Sequence, residues 1–279
     1  MTLIAPPAST SRRRSPMQIS TVLASVVVVL IALATLTPNL LAPVNPNAID
    51  PSNAFSAPSL AHWFGTDESG RDILARIVHG ARASVGIGVA ATAIGMVLGM
   101  LLGFTAGLGP RWLDAIISRV IEVLFALPTL VLALLLVVVL GAGVTASVLA
   151  VGLATAPGYA RMLRARVRTV AASSYVEAAK LEGAGWLTIL FRHILPNTLL
   201  PLIAIVTLGI GQAIVWVAAL SFLGLGSLPP SPEWGAMLNG GRLYIQNAWW
   251  MTVVPGLAVT LAAAALTVLG RRIAAVQHR

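Results

Sequence analysis

The residues best placed to do work in this chain lie in one polar stretch between two apolar blocks, Ser174 to Asn197. Ser174 and Glu177 stand three apart, the spacing at which a hydroxyl and a carboxylate satisfy each other's helix-start amides as a capping box. Gly183 follows where a left-handed residue ends a short helix. The spacing predicts a helix of about two turns, roughly 12 Å long. So short a helix is marginal alone in water and must lean on a neighbour. Residues 187–195 predict a second helical piece, closed by Pro196, whose ring nitrogen cannot continue the ladder.

Bond-making constellations are missing. The chain has no cysteine, so no disulfide, thiolate metal site or cysteine nucleophile is available. Lys180 is its one lysine and stands in no phosphate-loop pattern, which places any ATP hydrolysis on another polypeptide. His62, His79, His193 and His278 are scattered and off the apolar runs, which argues against a metal centre. No catalytic, cofactor-binding or metal-binding residue is predicted.

The elements that must position residues 174–197 are membrane spans. Apolar residues make up 57% of the chain and charged ones 10%, at a mean hydropathy of +0.89, a composition that excludes an ordinary soluble domain. A net charge of +9 could point to nucleic acid, but the basic residues flank apolar runs, the pattern of a topology signal in lipid. Residues 1–16 read as a disordered tail with Arg12, Arg13 and Arg14. Residues 17–41 read as an uncleaved first span, too long for a signal peptide core. An external loop follows over 42–82, with an interfacial amphipathic helix on Ile73, Leu74, Ile77 and Val78 and an Asp72–Arg76 pair one turn apart.

Five more spans are predicted at 83–107, 123–143 (kinked at Pro128), 144–160, 198–223 and 249–269, giving an all-α integral membrane protein with six spans. Residues 111–122 read as a basic loop, 224–248 as a second external loop and 271–279 as a tail. Gly95, Gly99, Gly103 and Gly107 recur every fourth residue, a stripe that lets another helix approach closely. Trp186, Trp249 and Trp250 read as interface anchors.

With six spans both termini share a side. That side collects three basic residues in the N-terminal tail, two in 111–122, six in 161–192 and three at the C-terminus. The other side holds Arg71, Arg76, Arg82 and Arg242. The positive-inside rule then puts both termini and residues 174–197 in the cytoplasm.

Glu177, Ala178, Ala179, Gly183, Leu195 and Pro196 fall on the register of Glu-Ala-Ala, three residues, Gly, nine residues, Ile-x-Leu-Pro. That stretch resembles the EAA loop of the membrane subunits of ABC importers. His193 departs from the Ile position, yet Arg192 to Asn197 is similar to the variant of the dipeptide/oligopeptide/nickel permease branch. Residues 65–72 (Gly-Thr-Asp-x-x-Gly-Arg-Asp) resemble its C-type subunit and read either as a solvated connector with a local ion pair or as a substrate contact. Ser221 to Gly226 with Pro229 and Pro230, Trp234-Gly235, and Trp249-Trp250 with Pro255-Gly256 also match. The resemblance runs from about Val22 to Gly270. It fails beyond, where relatives continue Leu-Gly-Asp-Gly-Leu-Arg-Asp and this chain runs into Arg271 and Arg272.

The resemblance implies a type I ABC importer transmembrane domain in a bacterial inner membrane. It implies a coupling helix met by a cytoplasmic ATPase through Tyr175, Val176, Glu177, Ala178, Ala179, Gly183, Ala184, Arg192, His193, Leu195 and Pro196. Its partners would be a second, B-type permease subunit, two ATPase domains carrying ATP and Mg, and an external substrate-binding protein. Glu177 serves as cap, as contact, or as both, while Ala178 and Ala179 are small enough to let the helix sit deep in a cleft. The rival reading is a channel or ion-coupled carrier working without an ATPase. It calls for an ionisable group at mid-membrane, and no predicted span carries one. An intramembrane enzyme finds less support still, because the span hydroxyls have no His or Asp partner.

Overall fold

The computed structural model describes residues 17–277. The tail predicted over 1–16 lies outside these residues, as do His278 and Arg279. Nine helices of eight residues or more organise the described chain. They are α1 (Met17–Leu36), α2 (Ile73–Leu108), α3 (Arg111–Phe125), α4 (Thr129–Leu140), α5 (Val144–Ala171), α6 (Ser174–Leu181), α7 (Leu202–Phe222), α8 (Trp234–Gly241) and α9 (Trp250–Gln277). α1 is peripheral, with Val22, Val26 and Val29 exposed.

The helix pair α2 and α5 is the centre of the bundle, and the glycine stripe explains why they lie so close. A Cβ on Gly95 would sit 2.6 Å from Thr155 Oγ1, and one on Gly99 2.5 Å from Tyr159 Cβ. One on Gly103 or Gly107 would sit 2.7 Å from Leu163 or Val167. Side chains there would push the two backbones apart, so small residues set the spacing. α7 packs on both α2 and α9, and α1 lies on α2 and α9.

Several boundaries differ from those read in the sequence. No interfacial helix precedes the second span, because α2 runs unbroken through 36 residues from its cap, Asp72, which accepts from the Ala75 amide. The basic loop at 111–122 is helical, and α3 and α4 meet at 94°. Pro128, extended at ψ 136°, makes the break, since it and the residue before it resist helical continuation. α5 passes Tyr159 without stopping and carries Arg161, Arg164, Arg166 and Arg168 on its last turns. α9 likewise takes in Arg271 and Arg272.

Four helices, α1, α2, α7 and α9, are long and apolar enough to cross a membrane, or five spans if the bent α3–α4 pair is counted as one. Six were predicted. α5 is absent from that set although it has 28 residues, because Thr145, Ser147, Thr155, Pro157 and the four arginines dilute its apolar content. It is shielded by protein: Ala150, Val151, Ala160 and Leu163 are buried.

The fold has two distinct ends. One, the cap, gathers residues 42–82 and 224–248: Gly80 faces the Pro232 carbonyl, and Phe55 meets the Tyr244 ring at 4.9 Å. The other gathers the ends of α2 and α5 and the stretch 171–201 around a small core of Val167, Val170, Val176, Ala179, Ile189 and Ile194. Arg71, Arg76, Arg82 and Arg242 belong to the cap, whereas the arginines of α3, α5 and α9 belong to the second end.

Candidate docking surface

The second end is built from the last turns of α5. Ser173 precedes α6, and its hydroxyl donates to the Val170 carbonyl, so no side chain caps the α6 amides. The predicted capping box therefore does not form: Ser174 is already the first residue of the helix and Glu177 points to solvent. The helix end is the one expected. Gly183 sits at φ +82°, its amide donates to Lys180 and the Ala184 amide to Ala179. This pair of bonds is the Schellman arrangement, which a left-handed glycine permits.

Beyond Gly183 the chain winds as Trp186–Thr188, a π-helical Ile189–Ile194 and Leu195–Leu199. Pro196 does not close this piece. The wider π turns ahead of it change which amides must donate, and the helix passes through the missing N–H. Asn197 Nδ2 donates to the His193 carbonyl at 2.7 Å. The Tyr175 and His193 rings lie 6.4 Å apart and bring the two arms together.

The named residues divide by burial. Val176 and Ala179 hold α6 against its small core, and Ala184, His193 and Leu195 are half-buried. Tyr175, Glu177, Ala178, Gly183, Arg192 and Pro196 are exposed. Around them lie Leu181, 85% exposed, with Trp186, Leu187 and Phe191. That is an apolar surface with a few charges, on a helix too short to stand alone.

Asp114, which the sequence did not single out, locks this end together. Its carboxylate receives Arg164 through Nε and, at 2.9 Å, through Nη2, while Arg168 Nη2 lies at 2.6 Å. The bidentate geometry ties α3 to the α5 turns that lead into α6. A signal was present, since Arg164 and Arg168 stand one turn apart and present two cations to one acid.

The cap also differs from its reading. Asp72 pairs with His62 Nδ1 at 2.9 Å, not with Arg76. Arg76 turns inward to Asp67 at 3.7 Å and to the carbonyls of Pro46, Pro230 and Ser231. Thr66 and Asp67 are buried, so residues 65–72 are no solvated connector. Trp249 is exposed as an anchor would be, but Trp250 is buried and donates to the Thr66 carbonyl. The Glu233 carboxylate, also buried, accepts from the amides of Gly235 and Ala236 at the start of α8.

A cavity of about 210 Å³ opens between the α3–α4 bend, α5 and α7, bordered by Phe125, Thr155, Tyr159, Gln212 and Trp216.

A family model described as binding-protein-dependent transport system inner membrane component matches residues 95–279. The dipeptide transport system permease protein DppC of Alkalihalophilus pseudofirmus is 41% identical over 221 residues, 79% of this chain and 73% of that one. The di/tripeptide transport system permease protein DppC of Pseudomonas aeruginosa is 45% identical over 206 residues, 74% of this chain and 68% of that one. The glutathione transport system permease protein GsiD of Pectobacterium atrosepticum is 40% identical over 244 residues, 88% and 81% of the two. Among solved structures, inward-facing MetNI methionine ABC transporter matches at a TM-score of 0.60 and 18% identity, over 73% of this chain and 97% of that one. An amino acid ABC transporter with histidines matches at 0.52 and 18%, over 71% and 94%. At such identity the structures establish a shared fold.

Proposed function

This chain belongs to the family of binding-protein-dependent transport system inner membrane components, and from that membership we propose that it forms half the pathway of an ATP-driven importer of di- and oligopeptides. It is a transport subunit, with ATP hydrolysed on partner chains. The relatives named for dipeptide, di/tripeptide and glutathione transport support a peptide cargo. The other half of the pathway is a B-type permease subunit, and a substrate-binding protein delivers cargo to the cap from outside. Both termini and the α6 end face the cytoplasm, a reading supported by the arginines gathered there.

The observation that carries the proposal is α6 itself: a two-turn helix with Tyr175, Glu177, Ala178 and Leu181 exposed, held rigidly to α5 and thence by Arg164 and Arg168 to Asp114. A partner ATPase that grips α6 moves it with α5, and α5 lies along α2 at the centre of the bundle. Coupling needs an element that both sites contact, and α5–α6 meets the requirement.

The test is coexpression with a second permease subunit and the ATPases, reconstitution into vesicles, and ATP-driven uptake of a labelled dipeptide. The expected result is uptake that stops without ATP, with Glu177→Arg lowering ATPase copurification about tenfold through a mismatched charge at the interface. Uphill uptake by the isolated chain on an ion gradient would overturn the proposal.

A further inference from the structure

The cavity at the α3–α4 bend has an unusual lining for a hole between helices. Phe125, Tyr159 and Trp216 supply aromatic surface, Thr155 and Gln212 supply uncharged polar groups, and no charged side chain lines it. Trp216 borders the cavity, but its Nε1 is buried without an acceptor and is not reached from the hollow, which leaves Gln212 as the lining group that can both donate and accept freely. A second cavity, about 380 Å³ between α7 and α9, shares Gln212 and Trp216 with the first. These two side chains thus stand on the divide between two hollows.

Tyr159 is placed with care. Its ring passes Gly95, where an added Cβ would lie 3.2 Å from Cε2, and Gly99, where one would lie 2.5 Å from Cβ. Its hydroxyl lodges over Gly209 of α7, in space a side chain there would fill. Two glycines of the α2 stripe and one of α7 therefore seat an aromatic at the edge of the cavity as well as bringing helices together. At the other edge the Arg161 guanidinium lies over the Phe125 ring at 4.2 Å, holding that ring by a cation–π contact.

We propose that this cavity is a transit subsite for the uncharged backbone of a peptide, with the Gln212 amide as its hydrogen-bonding group. The proposal rests on the importer reading and deepens it. A peptide carbonyl accepts from the Gln212 amide, a peptide N–H donates to the Gln212 carbonyl, and cargo side chains lie on Phe125 and Tyr159. The hydrogen bonds do not depend on side-chain identity, so the subsite accepts many sequences. No charged side chain lines the hollow, Arg161 being held on the Phe125 ring at its edge, and a fixed charge among the lining residues would favour one class of peptide and repel another. The volume is below the roughly 300–1,000 Å³ of a complete small-molecule site, which fits one half of a site that a second subunit completes.

The experiment uses the reconstituted complex and three labelled dipeptides of similar size, Ala-Gln, Ala-Lys and Ala-Glu. Gln212→Glu should shift the ratio of uptake efficiencies about tenfold toward Ala-Lys over Ala-Glu, and Gln212→Lys should shift it by a similar factor the other way, as a single charge at close range dictates. A residue that merely packs would change all three rates together and leave the ratio alone, and that result overturns the proposal. A second arm does not depend on transport. Because the chain has no cysteine, Gln212→Cys introduces its one thiol, whose maleimide labelling in the assembled complex should slow when Ala-Gln is saturating. Labelling that no peptide slows would overturn the subsite. Wild-type complex that carries none of the three peptides would instead sink the importer reading.

Discussion

The two ends of the bundle solve opposite problems. At the cap, long connections carry charged residues inward and satisfy them: Asp67 with Arg71 and Arg76, Asp72 with His62, and Glu233 with two backbone amides. At the α6 end the polar side chains of Glu177, Lys180 and Arg192 point outward and large apolar side chains, Leu181, Trp186, Leu187 and Phe191, go with them. The cap pairs its inward charges within its own chain, although it too exposes Leu60, Leu228 and Leu243. The α6 end sets its exposed apolar side chains on a helix too short to stand alone, and a surface so composed is costly to keep unless it is used.

The sharpest way to break this contrast is at Gly183. Its φ of +82° is closed to proline, whose ring fixes φ near −65° and removes the amide that donates to Lys180. Gly183→Pro should abolish ATP-driven uptake while the chain still inserts and the cap still resists protease. Wild-type uptake would show that the orientation of α6 does not matter. Next in size is the cap. Arg76 is nearly fully buried and joins Asp67 to carbonyls of two distant loops. Arg76→Leu leaves Asp67 with Arg71 alone and removes the donor to the Pro46, Pro230 and Ser231 carbonyls, and should cost about 3 kcal/mol, the scale for breaking a buried pair. The comparison residue is Leu181, 85% exposed, where Leu181→Ala should stay within about 0.5 kcal/mol. Thermal unfolding in detergent measures both, and equal losses would erase the distinction between the ends.

What the sequence disclosed follows from which forces act over short range. The apolar helices α1, α2, α7 and α9, the glycine stripe and the end of α6 at Gly183 were legible because each depends on local pattern: apolar run length, four-residue spacing, and a backbone angle that favours glycine. The capping box at Ser174 failed because Ser173 took the N-cap position and spent its hydroxyl backward on Val170. The helix through Pro196 was illegible because π turns redistribute hydrogen bonds in a way that no residue type announces. The Arg76–Asp67 contact and the Asp114 clamp were missed for another reason. Their partners are brought together by folding, Asp114 and Arg164 being fifty positions apart, whereas the expected Asp72–Arg76 pair was a purely local guess.

The smallest effect tests how completely the cap is closed. Burial pushes the Glu233 carboxyl above its ordinary value of 4.5, with hydrogen bonds from Gly235, Ser221, Ala236 and Ser84 opposing the shift. A carboxyl whose value is raised by folding binds its proton more tightly in the folded chain than in the unfolded one. Stability contributed by this group therefore grows as pH falls from neutral through the raised value, and levels off below the ordinary one. The melting temperature should rise modestly over that window. Glu233→Gln should flatten the rise, whatever it costs at all pH by losing one of two acceptors. The α6 end differs in sign: Glu177 and Glu182 lie in solvent, and the Asp114 carboxyl is held down to about 2 by the hydrogen bonds from Arg164 and Arg168. A pH response that survives Glu233→Gln would mean that the cap leaves this carboxylate hydrated, and that its closure comes from Arg76 and Trp250 alone.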